Sequence, residues 1–97
     1  MERVYYVYIL ASGRNGTLYH GVTSRLAFRV WQHREGTGSA FAAKHGVKTL
    51  VWYAKFPTAL QAIAFEKRVK RWRRAWKLEL IEKLNPQWVD LYETLNC

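Results

Sequence analysis

The sequence predicts a small α+β fold in which a three-stranded antiparallel sheet is flanked by helices. Three observations predict it: two β-branched and aromatic runs separated by an Asn-Gly pair, a third such run over 48–56, and an apolar stripe at helical spacing further on. The predicted order is β-β-α-β-α-α. Because 97 residues are too few for two separate cores, we expect a single domain over 1–97.

The N-terminal part of the sequence predicts a β-hairpin. Residues 4–10 are β-branched and aromatic throughout, and the Asn-Gly pair at 15–16 favours a tight reversal into a second strand over 17–22. Antiparallel pairing would bring Tyr8 and Tyr19 onto neighbouring strands.

A first helix is predicted over 25–35. Thr23 and Ser24 offer its N-cap, and Gly36 supplies a stop. A short helical turn over 40–46 is expected to lead into the third strand.

The C-terminal helical region begins after the third strand. Thr58, with Gln61 three residues later, fits a capping box. The apolar stripe that follows consists of Phe65, Val69, Trp72, Trp76 and Leu80. We expect both tryptophans of this stripe to lie in the core, and the spacing leaves open whether the chain kinks near 72–74. Asn85-Pro86 should end the helix.

The charge balance predicts an acidic partner. Sixteen Lys and Arg against seven Asp and Glu give a formal charge of +9 and a pI near 10.1. DNA, RNA and anionic lipid all fit such a charge. A hydrophobic fraction of 49% is too high for a disordered basic tail. Adsorption to membranes is the least favoured of these interactions, because the apolar stripe is needed to cover the sheet.

Cysteine usage predicts a reducing compartment. The single cysteine, Cys97, permits no intrachain disulfide. The apolar run at 4–11 is too short to span a bilayer. We therefore expect a cytoplasmic protein.

A dense basic run follows Glu66. Its members are Lys67, Arg68, Lys70, Arg71, Arg73, Arg74 and Lys77. They would give the helix a cationic face suited to a phosphate backbone. The alternative is a solubilising surface whose long side chains cover apolar area. Arg25 is expected in the first turn of the first helix, where the dipole disfavours a cation, so we assign it a phosphate contact as well.

The sequence lacks the motifs of the common hydrolases. Arg29 and His33 are one helical turn apart, which is also an ordinary arrangement on a protein surface. Strand tyrosines usually pack in a core. If the strand alternates, His20 points away from Tyr19, where a neutral, hydrogen-bonded role is expected.

These residues together resemble a known family. The ordered set is Tyr6-Val7-Tyr8, Tyr19-His20-Gly21, Arg29, His33 and Glu66, and it is similar to the GIY-YIG nuclease superfamily, in particular its small single-domain YhbQ-like or UPF0213 branch. Two departures stand out. Gly-Ile-Tyr is replaced by Tyr6-Val7-Tyr8, and Tyr-Ile-Gly by Tyr19-His20-Gly21.

The resemblance implies a divalent-metal-dependent DNA endonuclease, structure-directed and linked to repair or recombination. By this resemblance Tyr8 and Tyr19 flank the scissile phosphate, and one of them helps to deprotonate the attacking water. Arg29 steadies the phosphoryl charge, and Glu66 holds a single Mg²⁺ or Mn²⁺ ion. His33 would be a second base or a phosphate contact, and Asn85 a helper near the site.

A noncatalytic nucleic-acid binding module, or one that cuts only with a protein partner, is the alternative. RNA also stays open as a substrate. A nuclease requires the carboxylate of Glu66, whereas a binding module requires only the basic face.

Overall fold

The computed structural model describes residues 3–95, so Cys97 lies outside the described residues. Its elements are β1 (Tyr5–Ala11), β2 (Leu18–Thr23), α1 (Leu26–Arg34), α2 (Ala40–His45), β3 (Thr49–Phe56), α3 (Ala59–Arg71), α4 (Arg74–Leu84) and a 3₁₀ helix (Leu91–Thr94). The α+β class and the predicted order are confirmed, and the helical turn expected over 40–46 forms the short helix α2. In this part of the chain, no helix has the length and apolar character needed to cross a membrane.

The three strands form one antiparallel sheet with β1 in the centre, in the order β2-β1-β3. Tyr8 lies opposite Gly21 on β2, and Tyr19 lies opposite Leu10. Tyr8 and Tyr19 are therefore diagonal neighbours on one face of the sheet. On β3, Val51 is an extra residue, because Ile9 pairs with Trp52 while Leu10 pairs with Leu50.

Helices cover both faces of the sheet. One face carries α3 and α4, and its core comprises Val7, Ile9, Ala11, Val51, Trp52, Ala62, Val69, Ile81 and Trp88. The other carries α1 and α2, and its core comprises Tyr8, Leu10, Leu26, Val30, Ala42, Val47 and Leu50. Because side chains alternate along a strand, β1 contributes to both cores and is buried on both faces.

The start of α1 differs from the prediction. The helix begins at Leu26, and its N-cap residue is Arg25, which makes no capping hydrogen bond with its side chain. The hydroxyl of Thr23 accepts from the backbone N–H of Arg25 at 3.0 Å, so it stabilises the turn before the helix. Arg25 therefore precedes the first turn, and the prediction that placed it inside the helix was wrong by one residue.

The capping prediction for α3 is confirmed, because the hydroxyl of Thr58 accepts from the N–H of Gln61 at 3.2 Å. The helix ends before Trp72, since Trp72 and Arg73 have extended backbones with ψ of 149° and 152°. The kink that the sequence left open is therefore a break between two helices. Because of this break, α4 does not continue the apolar face of α3, and Trp76 is 52% exposed. The prediction that Trp76 lies in the core was wrong.

Candidate active site

Tyr8 lies at the centre of the candidate site. Its side chain is fully buried, and its ring lies against the backbone of Gly21 on the neighbouring strand. A Cβ atom at Gly21 would overlap the ring and hydroxyl of Tyr8. The glycine that ends the second tyrosine motif therefore makes room for the tyrosine of the first.

His33 contacts both tyrosines. Its Nε2 lies 3.1 Å from the hydroxyl of Tyr8, and its ring centroid is 4.9 Å from that of Tyr19. Burial lowers the pKa of His33 to about 4, and the positive charge of Arg29 acts in the same direction. The imidazole is therefore neutral at physiological pH. In residues 3–95, its Nδ1 atom has no hydrogen-bond partner.

The hydroxyl of Tyr8 is kept protonated. Burial raises the pKa of Tyr8 to about 12, and the charges of Tyr19 and Glu66 also raise it, while a hydrogen bond and the charge of Arg29 oppose the shift. A protonated hydroxyl can donate to the neutral Nε2 of His33. The two residues therefore form a donor–acceptor pair.

Arg29 is held in place by its own helix α1 and by the segment that follows it. Its guanidinium donates to Oε1 of Gln32 at 3.0 Å and to the carbonyl of Gly38 at 2.9 Å. Gly38 also packs on the ring of His33, where a Cβ atom would lie 2.7 Å from Nδ1. Sequence reasoning read 36–39 only as a loop and missed this positioning role, although the glycine at 38 signals a close backbone approach.

Glu66 approaches the site from α3, on the other side of the sheet. It is 8% exposed, and its Oε2 accepts from Nζ of Lys70 at 3.0 Å. Its negative charge is the smallest of the influences that raise the pKa of Tyr8. Between residues 3 and 95, no three His, Cys, Asp or Glu side chains gather into a chelating cluster.

Glu66 fits the role of a single protein ligand for a hard cation. It supplies carboxylate oxygens, and Mg²⁺ commonly takes only one or two protein carboxylates while keeping several waters. Its partner Lys70 is more than half exposed, so its side chain can move aside.

None of the hydrogen bonds that Asn85 makes within the described residues reaches this cluster. Its Nδ2 donates to the carbonyls of Val51 and Val89 at 3.1 and 2.8 Å, and its Oδ1 accepts from the N–H of Val89 at 3.0 Å. Val51 belongs to β3, at the edge of the sheet opposite the strand that carries Tyr19. Asn85 is therefore committed to the backbone around the β3 bulge.

His20 lies on the opposite face from Tyr19, as strand alternation predicts. Burial lowers its pKa to about 4, and the charges of Lys77 and Lys70 act in the same direction. The ring is neutral as expected, but the expected hydrogen bond is missing at Nε2, which has no partner within the described chain.

The basic residues expected to contact nucleic acid divide into those that are exposed at the surface and those that contact other parts of the protein. Those exposed without a role in holding the fold are Lys67, Arg68 and Arg71 on α3, and Arg25 before α1. Arg74 instead donates to the carbonyls of Asn15 and Gly16 at 2.7 and 2.6 Å, which ties α4 to the β1–β2 turn. Lys77 donates to the carbonyl of Lys70 at 3.1 Å and is half-buried. Lys70 pairs with Glu66, and Arg73 lies 5.3 Å from the ring of Trp76.

Comparison with known proteins shows which family the chain resembles. The GIY-YIG catalytic domain matches residues 4–79. A UPF0213 protein of Oceanobacillus iheyensis is 35% identical over 82 residues, which is 84% of this chain and 94% of the relative. A UPF0213 protein of Cupriavidus pinatubonensis is 30% identical over 84 residues, which is 87% of this chain and 92% of the relative.

A solved structure is similar as well. The solution NMR structure of a UPF0213 protein from Bacillus halodurans has a TM-score of 0.56 and 29% identity, covering 90% of this chain and 92% of that one. The match to the GIY-YIG catalytic domain spans β1, β2, α1 and α3, which are the elements that carry the candidate site. The chain therefore belongs to the GIY-YIG family and, within it, to the UPF0213 proteins.

Proposed function

We propose that this protein is a divalent-metal-dependent endonuclease that hydrolyses phosphodiester bonds in DNA. One observation supports it above the others: a protonated Tyr8 contacts a neutral His33 beside the fixed Arg29 on one face of the sheet, and α3 holds the buried carboxylate of Glu66 on the other. Membership of a family defined by a catalytic domain supports the same chemistry.

Tyr8 and His33 would together accept the proton of the attacking water. As the water oxygen bonds to phosphorus, its proton moves to the hydroxyl oxygen of Tyr8, and the hydroxyl proton moves to Nε2 of His33. The bond between phosphorus and the leaving oxygen breaks in the same displacement, and the leaving oxygen takes up a proton from the surrounding water. A bound phosphate would offset the charge of Arg29, which lowers the pKa of His33 in the free protein, and would make the histidine a better base.

Arg29 would hold the nonbridging oxygens of the phosphate. A guanidinium has five N–H donors, and the two hydrogen bonds to Gln32 and Gly38 leave others to contact a ligand. Because these two contacts fix its orientation, the guanidinium would need little reorganisation as charge builds on the phosphate.

Glu66 would hold the metal ion, and Mg²⁺ and Mn²⁺ are the cations proposed. Such an ion supplies a Lewis acid that stabilises charge on the phosphate oxygens. Lys70 competes for the same carboxylate, so we expect weak metal affinity until substrate is bound.

The exposed cations Lys67, Arg68, Arg71 and Arg25 would contact the phosphate backbone. Structured DNA of repair or recombination is the substrate that we propose, in a cytoplasmic protein. RNA is the competing substrate.

A noncatalytic binding module is the second candidate function. The ion pair between Lys70 and Glu66 favours it, because an ammonium occupies the carboxylate that the metal would need. The raised pKa of Tyr8 favours it too, since a protonated phenol is no base by itself.

The decisive experiment is cleavage of labelled single-stranded, duplex, flap and branched DNAs, and of matching RNAs, with Mg²⁺, Mn²⁺ or EDTA. We expect metal-dependent cleavage by the wild type and none by Glu66→Gln. Glu79→Gln, which changes an exposed carboxylate on α4, is the matched control and should cut normally. Binding of these nucleic acids without cleavage under any condition would refute the nuclease and favour the binding module.

A further inference from the structure

A second concave surface lies beside the candidate site. It is a cavity of about 520 Å³ between the start of α1 and the sheet. The side chains that matter to the argument are Tyr6, Arg25, Phe28, Tyr53 and Lys55. None of them belongs to the reaction proposed above, apart from the general phosphate contact assigned to Arg25.

Flat groups form the walls of this cavity. Tyr6 and Tyr53 meet edge to face, with ring centroids 6.2 Å apart, on the sheet side. On the helix side, the guanidinium of Arg25 lies 4.4 Å from the ring centroid of Phe28. Trp31 stacks behind Phe28 at 5.9 Å, so Phe28 is supported although it is 43% exposed. Planar ligands stack on aromatic rings and on guanidinium planes alike.

The charge of the cavity favours an anionic ligand. Its lining includes the cations Arg25 and Lys55 and no carboxylate among the described residues. A flat aromatic group with negative charge on both sides meets these requirements, and a nucleobase between two phosphates is such a group.

The position of the cavity connects it to the reaction. Tyr6 precedes Tyr8 by two residues on β1, so both side chains lie on the same face, about 7 Å apart along the strand. Arg25 likewise precedes Arg29 by about one helical turn. A strand with its phosphate at Tyr8 and Arg29 would therefore pass directly over the cavity.

We propose that this cavity is a nucleobase pocket, which takes the base of a nucleotide flanking the reacting phosphate. The base inserts between Tyr6 and Tyr53 on one side and the Arg25–Phe28 pair on the other, and Lys55 contacts the adjoining phosphate. The inference rests on the proposed function for the choice of nucleic acid over other aromatic anions.

The test compares two ligands that differ only in their bases. Fluorescence anisotropy in EDTA measures the affinity for labelled dT12 and for an abasic 12-mer with the same phosphates. We expect the wild type to prefer dT12 by about 5- to 150-fold, the range that stacking of a base on aromatic side chains provides. Phe28→Leu should reduce this ratio at least about threefold while leaving the affinity for the abasic strand unchanged.

Trp76→Leu is the matched control, because Trp76 is a similarly exposed aromatic residue on the other face of the sheet. It should leave the ratio unchanged. An equal reduction by both variants, or none by Phe28→Leu in a protein whose melting temperature is normal, would overturn the inference.

An acidic aromatic polymer of Glu and Tyr tests a protein ligand instead. If Phe28→Leu weakens binding of the polymer and not of dT12, the pocket is a peptide site and the inference is wrong. These tests measure binding and not cleavage, so the two proposals are tested independently. The nucleobase pocket can be refuted although the protein cleaves DNA, and it can be confirmed although the protein does not.

Discussion

The hydroxyl of Tyr8 and Nε2 of His33 lie 3.1 Å apart, although 25 positions separate them in the chain. Tyr8 comes from β1 and His33 from α1, and both side chains are buried where they meet. Opposite pKa shifts keep the tyrosine protonated and the histidine neutral. The hydrogen-bonded pair is therefore already formed in the protein without substrate.

Removing the hydroxyl alone tests this pair. Tyr8→Phe should lower kcat by about 10²- to 10⁴-fold, the usual contribution of positioned acid–base groups. The variant keeps the ring against Gly21 but leaves Nε2 of His33 unpartnered, so we expect a loss of about 1–3 kcal/mol in the free energy of unfolding. Single-turnover cleavage and chemical denaturation measure the two effects. Tyr5→Phe, on the opposite face of the same strand, is the control, and an equal loss of kcat there would argue against a specific role for the Tyr8 hydroxyl.

A methyl group at Gly21 should disrupt the site by overlap with Tyr8. We expect Gly21→Ala to cost about 1–3 kcal/mol of stability, as overpacking in a core does, and to abolish cleavage. Gly13→Ala adds the same methyl where no atom lies within 4 Å, and should change stability by less than about 0.5 kcal/mol. Thermal unfolding of both variants makes the comparison, and equal melting temperatures would show that the ring of Tyr8 can move away.

The two buried histidines predict a loss of stability in acid. Each has a pKa of about 4 in the folded protein, below the ordinary value of 6.5. Between these values the unfolded chain binds more protons, so the free energy of unfolding falls as the pH falls from 6.5 to 4. The stabilisation is complete above 6.5, and each pKa unit corresponds to about 1.4 kcal/mol.

Urea denaturation at a series of pH values measures this slope. His20→Leu removes one of the two groups, so we expect a shallower slope than in the wild type and a similar m-value. A variant as acid-sensitive as the wild type would show that His20 does not contribute.

Two arginines of the basic run should behave differently. Arg71 is exposed, and Arg71→Gln should weaken DNA binding and reduce the slope of log K against log salt by about 0.9, as the loss of one phosphate contact does. Arg74 bonds to the β1–β2 turn, so Arg74→Gln should chiefly lower the melting temperature. Salt titrations and melting curves of both variants distinguish the roles, and the assignment fails if they are indistinguishable.

Much of the fold could be predicted from sequence because it depends on local signals. The Asn-Gly pair, the Thr58 cap and the strand pattern each act within a few residues. The exposure of Trp76 could not be predicted, because the break at Trp72 and Arg73 contains no glycine or proline to announce it.

The site was partly predictable for a similar reason. The resemblance to the GIY-YIG family identified Tyr8, Tyr19, Arg29, His33 and Glu66 as candidates, but their partners depend on tertiary structure. The carbonyl that holds Arg29 is nine positions away, in a loop whose path no periodicity encodes. The resemblance implied that Asn85 helps near the site, yet its amide donates to the carbonyl of Val51 on the edge strand β3 and to that of Val89.

The bulge at Val51 has a further consequence for the two faces of the sheet. Val51 and Trp52 are consecutive, yet both pack beneath α3 and α4, while Leu50 and Tyr53 face the other way. Without the extra residue, all the side chains of β3 on one side of position 51 would point to the opposite face of the sheet. Asn85 donates a hydrogen bond to the carbonyl of Val51 and so helps to hold the bulge that sets which β3 side chains face each side of the sheet. Asn85 thus helps to keep Tyr53 on the face of the sheet that carries Tyr8, and single-residue insertions or deletions here should be among the least tolerated in the chain.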